Sequence, residues 1–281
     1  MDFTKTKDFF IGIDSDGTVF DSMTLKHTFS FIPVAIEVFE IEDYKDDFVF
    51  LAEKINLFSL TRGINRFPGL LMTFEELKKL HNLNNFEIAD FENYVNSGYP
   101  FSNNGLKDYI LKNPSPFLDK VLEWSCEGDK LFEKLCEDIK PFENVKKTIT
   151  KMKEKADIMV VSAASSKGLE KDWAGANLAM DVSFILGQEY GKKDSQLAFA
   201  KEKGYKKENM LMIGDAPGDY EAAKMAGAMF YPIIPGKENE SWEILNEKYL
   251  DLFFDGKYDE NIQNELYSNF INFLKGDSVK W

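Results

Sequence analysis

Two carboxylates one residue apart close the first apolar run of this sequence, where Phe9-Phe10-Ile11-Gly12-Ile13 leads into Asp14-Ser15-Asp16-Gly17-Thr18-Val19-Phe20-Asp21. Alternate residues of an extended chain point the same way, so Asp14 and Asp16 can face one site. Gly17 and Thr18 begin a tight turn whose backbone N–H groups can hold an anion. A second acidic pair follows another apolar run, in Met210-Leu211-Met212-Ile213-Gly214-Asp215-Ala216-Pro217-Gly218-Asp219. Neither segment has the spacing of a calcium loop. Taken alone, Asp14 and Asp16 also fit an acidic turn without chemistry.

The elements that position these residues are short apolar runs, each ending in a small or acidic residue: Phe9 to Ile13, Ile158 to Val161, Val182 to Leu186 and Met210 to Ile213. They read as buried parallel strands. Helical periodicity fills the gaps at Val145 to Ala156, Lys167 to Leu178, Ser195 to Lys203 and Tyr220 to Ala226. This alternation predicts an α/β protein with a Rossmann-like, doubly wound parallel sheet, whose strand ends carry the ligand site. From about Met23 to Lys140 the alternation gives way to amphipathic, aromatic-rich segments. Arg62-Gly63, Pro68-Gly69, Gly98-Tyr99-Pro100 and Asn113-Pro114-Ser115-Pro116 punctuate them, which predicts several helices joined by turns. The expected division is a core of residues 1–22 and 140–281 with an inserted helical domain of residues 23–139. Tyr231-Pro232 and Pro235-Gly236 introduce a tail whose pattern from Trp242 to Leu274 reads as helices packed on the core.

In their order along the chain, these motifs resemble those of the haloacid dehalogenase-like superfamily. The segment from Asp14 to Thr18 is similar to its first motif, Asp-x-Asp-Gly-Thr. The resemblance implies that Asp14 is a nucleophile forming an aspartyl-phosphate and that Asp16 is the general acid and then base. Val160-Val161-Ser162 is similar to the second motif, which makes Ser162 a phosphate ligand through its hydroxyl and Ala163 one through its backbone. The third motif is a lysine that neutralises phosphate and nucleophile together; Gly191-Lys192-Lys193 offers two, and spacing favours Lys192. The fourth resembles Gly214-Asp215 with Asp219. Asp14, Asp215 and the backbone carbonyl of Asp16 would then hold Mg2+, with Asp219 acting through water or supporting the loop. The likeness covers about residues 8–22 and 140–235, and an insertion after the first motif resembles the members with an α-helical cap. It implies a magnesium-dependent phosphomonoester hydrolase acting on a small phosphorylated metabolite.

Other chemistries of the superfamily weigh differently. Its dehalogenases lack the second aspartate, so Asp16 points to phosphoryl transfer. A phosphonatase needs an activated cap lysine, and nothing marks Lys26 or Lys54 as one. A sugar-phosphate mutase shares all the motifs and stays open, as does a silent protein that binds a phosphorylated ligand. In the inserted segment Arg62 and Arg66, if helical, share one face and are candidates for the substrate's leaving group, although Gly63 threatens that alignment. His27 and His81 read as ordinary residues of that segment.

The 281 residues are 44% hydrophobic, with 25 Phe, which supports a full core. A formal charge of −14 and a pI near 4.8 disfavour nucleic acid and anionic membranes as partners, while a small anion can still enter a locally positive site. Cys126 and Cys136 lack the paired spacings of zinc or redox motifs and read as free thiols. With neither a signal-peptide pattern at Met1 to Lys7 nor a long apolar span, a cytoplasmic protein is expected; the oligomeric state stays open.

Overall fold

Five strands form one sheet in the order β3-β2-β1-β4-β5, with β1 Phe9–Ile13, β2 Ala156–Val161, β3 Phe184–Leu186, β4 Met210–Gly214 and β5 Met229–Pro232. The computed structural model describes residues 4–83, 86–137 and 139–276. All four pairings are parallel. β1 is central because Phe9-Phe10-Ile11-Gly12-Ile13 can be covered on both faces, and Ile13 pairs with Val160 on one side and Ile213 on the other. One face packs into a cluster that includes Ile11, Ile13, Ile158, Trp173, Ile213 and Trp242. The other face joins Phe10, Met159, Val161, Leu197, Met212 and Phe230.

Parallel strands send their C-terminal ends to one edge. Asp14, Ser162, Gly187 and Asp215 are the residues that follow β1, β2, β3 and β4, so the topology alone collects them there. The opposite edge is tied down by Asp157, whose carboxylate accepts from the backbone N–H groups of Thr6 and Lys7 at 2.8 and 2.9 Å, from the Thr6 hydroxyl and from Tyr205.

The chain divides into two compact units, Met1–Ser22 with Asp138–Trp281, and Met23–Glu137. The second unit is helical: after Ser22–Lys26 come a π-turn His27–Phe31 and helices Ile32–Phe39, Lys45–Asn56, Arg66–His81, Ala89–Asn96, Asn103–Ile110 and Pro116–Leu135. Its core is aromatic, built on Phe31, Phe48, Phe67, Phe74, Phe91 and Trp124. Local chemistry explains the helix starts. Asn65 accepts from the Phe67 N–H at 3.1 Å, Ser102 accepts from Gly105 at 3.1 Å, and Pro116 opens its helix at the first position.

Pro68-Gly69 does not interrupt the chain as the sequence pattern predicts. Pro68 falls in the first turn of Arg66–His81, where its missing N–H has no intrahelical partner to lose. Two further differences lie in the first unit. Met229–Pro232 is a fifth strand rather than the start of the tail, and as an edge strand it tolerates its terminal proline. The helix expected over Val145 to Ala156 stops at Met152 so that Ala156 can open β2. Trp242, Leu245, Leu250 and Phe253 from the tail are fully buried in the core. Neither Cys126 nor Cys136 is in a disulfide, and no described helix is long and apolar enough to cross a membrane.

Candidate active site

The strand edge holds three buried carboxylates, Asp14, Asp215 and Asp219, with one oxygen of each within 4.8 Å of the others. Lys193 faces two of them. The Lys193 ammonium lies 2.9 Å from Asp14 Oδ2 and 2.6 Å from Asp219 Oδ1, reaching in from the start of the helix Lys193–Glu202. Burial pushes the Asp14 carboxyl well up; Lys193 pulls it back, and Asp219 and Asp215 push it further up. Burial works against the Lys193 ammonium too, but Asp14 and Asp219 outweigh it and hold its pKa above the ordinary lysine value. Buried carboxylates gathered this closely, in a place with little water, favour a bound cation.

Asp215 and Asp219 are set by a short turn between β4 and the helix Pro217–Ala226. Pro217 starts that helix, and Asp219 Oδ2 folds back to accept the N–H groups of Asp215 and Ala216 at 3.1 and 3.0 Å. This fold-back needs glycine at position 214, where an added Cβ would sit 2.4 Å from Asp219 Cγ. With Oδ1 on Lys193 and Oδ2 on the turn, Asp219 is already committed. Thr18 donates to Asp215 Oδ1 at 2.5 Å, linking the first and fourth motifs.

The loop after β1 turns on Gly17, whose φ of 76° few other residues adopt cheaply. The Ser15 carbonyl accepts from Thr18, Val19 and Phe20, and two tryptophans clamp the loop. Trp173 donates to Ser15 Oγ at 3.0 Å and Trp242 to the Thr18 carbonyl at 2.8 Å. Asp16 is half-buried and accepts from Ser22 Oγ at 2.6 Å. Ser162, 2% exposed, uses its Oγ to accept the Ala164 N–H at 3.1 Å, which leaves the hydroxyl proton for another partner; Ala163 beside it is exposed.

Residues 102–233 match the family model described as haloacid dehalogenase-like hydrolase. No curated protein matches the chain. Among solved structures, a predicted phosphoglycolate phosphatase from Haemophilus somnus is similar over 81% of this chain and 86% of its own, at 16% identity and a TM-score of 0.51. A hydrolase of the family from Deinococcus radiodurans, solved with phosphate and sodium, covers 82% of this chain and 83% of its own at 16% identity and a TM-score of 0.47. The family model spans less than half of the chain, and the Haemophilus somnus structure shows a shared fold. Identity this low speaks for the fold and not for the substrate. The family match includes Ser162, Lys193 and Asp215, while Asp14 and Asp16 lie outside it and rest on motif and geometry.

At this strand edge the geometry corrects the preference for Lys192. Lys192 caps the helix in an extended conformation and is exposed, whereas one residue later the helix has turned Lys193 towards Asp14. The alignment of Arg62 with Arg66 is also corrected. Gly63 takes a φ of 81° and the helix begins only at Arg66. Arg66 forks onto Asp129 at 2.6 and 3.0 Å, and Arg62 is buried with one nitrogen on the Leu57 carbonyl at 2.8 Å, so both serve the interior of the helical unit.

Besides Trp173 and Ser22, three contributors had no motif to announce them. Gln196, fully buried, accepts the Ser162 N–H through Oε1 at 3.0 Å while Nε2 donates towards the carbonyls of Ser162, Gly187 and Gly191. Its signal was a polar residue on the apolar face with Leu197 and Ala200. Trp242 comes from the tail, outside the resemblance. The third is Asp172, which burial and then the nearby Asp16 push up to about 6. A raised carboxyl contributes stability that is complete below its unfolded pKa of 3.8 and lost as pH rises through about 6. Asp172→Asn should therefore stabilise the protein by about 1 kcal/mol at about pH 8, after discount for its partial exposure, and hardly at all at about pH 4. Urea unfolding at both values reads this, and an equal change at the two would remove the Asp172 charge as its source.

Proposed function

We propose that this chain is a magnesium-dependent phosphomonoester hydrolase that works through an aspartyl-phosphate on Asp14. The observation that carries the reading is the buried cluster in which Lys193 bridges Asp14 and Asp219 beside Asp215. The residues fit a hard cation: Asp14, Asp215 and the Asp16 carbonyl would hold Mg2+, which when bound supplies the positive charge that lets a carboxylate approach a phosphate dianion.

An Asp14 oxygen attacks phosphorus in line with the ester oxygen, the P–O ester bond breaks, and the leaving alkoxide takes a proton from the Asp16 carboxyl. Asp16, now a carboxylate, accepts a proton from water, which attacks the same phosphorus and breaks the bond to Asp14. Inorganic phosphate leaves and Asp14 is restored. Lys193 offsets charge on both Asp14 and the phosphoryl oxygens, and Ser162 donates its hydroxyl to one of those oxygens. Gln196 keeps the Ser162 backbone in place for that contact. Asp16 favours this chemistry over dehalogenation, which has no leaving alkoxide to protonate. The Met23–Glu137 unit acts in this reading as a cap that selects a small phosphorylated metabolite.

Phosphate release from p-nitrophenyl phosphate tests the reading. Turnover is expected with Mg2+, loss of at least about a hundredfold with EDTA, and recovery when Mg2+ is restored. Unchanged turnover after verified metal removal would sink the metal assignment. Binding without turnover would instead support the silent module.

A further inference from the structure

Residues beyond β5 carry none of the motifs, and the family match ends at residue 233, yet this stretch reaches the acidic cluster at two points. The Ile233 N–H donates to the Gly214 carbonyl at 2.8 Å, immediately before Asp215. Trp242 donates its indole N–H to the Thr18 carbonyl at 2.8 Å, across 224 residues of chain. The helix Glu238–Ile244 that carries Trp242 is pinned to the end of β5: Tyr231 Oη donates to the Ser241 carbonyl at 2.8 Å, and Ser241 Oγ accepts the Ile234 N–H at 3.0 Å. Trp242 is fully buried, so packing fixes the indole as well as its bond does.

Thr18 links this indole to the carboxylates. Its carbonyl accepts from Trp242 while its hydroxyl donates to Asp215 Oδ1 at 2.5 Å, and both Thr18 and Asp215 are buried. The two bonds fix one residue at its backbone and its side chain together, and a β-branched side chain has few χ1 positions with which to decouple them. Without the indole N–H, the buried Thr18 carbonyl would lose its partner. A buried acceptor left in that state is costly enough for the loop to shift towards water, and the hydroxyl on the same residue shifts with it. Trp173 does not compensate, because its bond ends on the Ser15 side chain.

We propose that Trp242 is a positioning residue for the metal site: acting through Thr18, its indole N–H holds the Asp215 carboxylate in the orientation that binds Mg2+. The tail is then part of the site and not only a covering for the core. The proposal rests on the reading of Asp215 as a Mg2+ ligand.

Calorimetric titration of the full chain with Mg2+ alone, without substrate, reads this. Trp242→Phe keeps a buried ring, loses the N–H, and should weaken Mg2+ binding about fivefold or more. Thr18→Val should weaken it by a similar factor, while Thr18→Ser, which keeps the hydroxyl, should stay within about twofold. Adding Trp242→Phe to Thr18→Val should cost little more than either alone, since the two act along one chain of bonds. Phe253→Leu is the control for a merely structural tail. Phe253 packs on Phe9 at the far end of β1 from Asp14, ring centres 5.2 Å apart, so its loss should lower Tm and leave Mg2+ affinity unchanged.

Should Trp242→Phe fail to fold, hydrogen exchange in the parent chain decides. Linkage requires Mg2+ to tighten the bond that supports its binding, so the Trp242 indole N–H should exchange about threefold or more slower with saturating Mg2+. The Trp124 indole N–H, bonded to the Phe31 carbonyl in the helical unit, should keep its rate. Unchanged Mg2+ affinity in Trp242→Phe, an equal loss in Phe253→Leu, full additivity with Thr18→Val, or unchanged exchange at Trp242 would each overturn the proposal and leave the metal reading standing. No Mg2+ binding by the parent would overturn both.

Discussion

Asp14→Asn is expected to lower kcat by at least about a thousandfold while raising the melting temperature. The amide has the same shape but no anionic oxygen to attack phosphorus, and a lost nucleophile removes about 4 kcal/mol or more of transition-state stabilisation. The rise in stability follows from the same geometry. Burial and the neighbouring Asp219 and Asp215 disfavour the Asp14 charge, so a neutral isostere relieves strain that the active protein sustains. Phosphate release and thermal unfolding of one purified sample read both outcomes. Residual activity within tenfold of the parent would remove Asp14 as nucleophile, and a fall in both would mean that the substitution damages the fold.

Lys193→Ala should cost about a hundred- to a thousandfold in kcat/KM, whereas Lys192→Ala should stay within about twofold. Lys193 is the one cation that touches both Asp14 and Asp219 among the described residues, and a removed partner leaves buried carboxylates facing one another. The Lys193→Ala protein should therefore also melt earlier without Mg2+ than with it, by a wider margin than the parent. Lys192 is exposed at the helix cap, where an ammonium has water for company. A larger loss from Lys192→Ala than from Lys193→Ala would contradict the geometry.

These two lysines show where sequence reading reaches its limit. The run Phe9 to Ile13 declares a buried strand by composition, and parallel pairing then delivers Asp14, Ser162 and Asp215 to one edge, so most of the site was legible. Lys192 and Lys193 are adjacent and chemically equal, and only the rotation of the helix start decides between them. Arg66 carried no trace of Asp129, because an ion pair across 63 residues leaves no local pattern. Gln196 and Trp242 were hidden for a similar reason: each serves the site through backbone groups that any sequence possesses. β5 was missed because Tyr231-Pro232 reads as a breaker unless the strand is known to lie at the sheet edge. Asp14, Asp16 and Asp215 stood out as candidates because each follows closely on an apolar run that its composition marks as a buried strand.

The proposed mechanism requires a phosphoryl group covalently held by Asp14. Asp16→Asn should let it accumulate, since water activation fails while Asp14 can still attack an ester with a good leaving group. Rapid acid quench of this variant with p-nitrophenyl phosphate and Mg2+, followed by borohydride reduction and peptide mass mapping, reads the site directly: an aspartyl-phosphate is reduced to homoserine. Homoserine is expected at position 14 and nowhere else, in step with the burst of p-nitrophenol. A burst with position 14 unmodified, or reduction at another carboxylate, would contradict it.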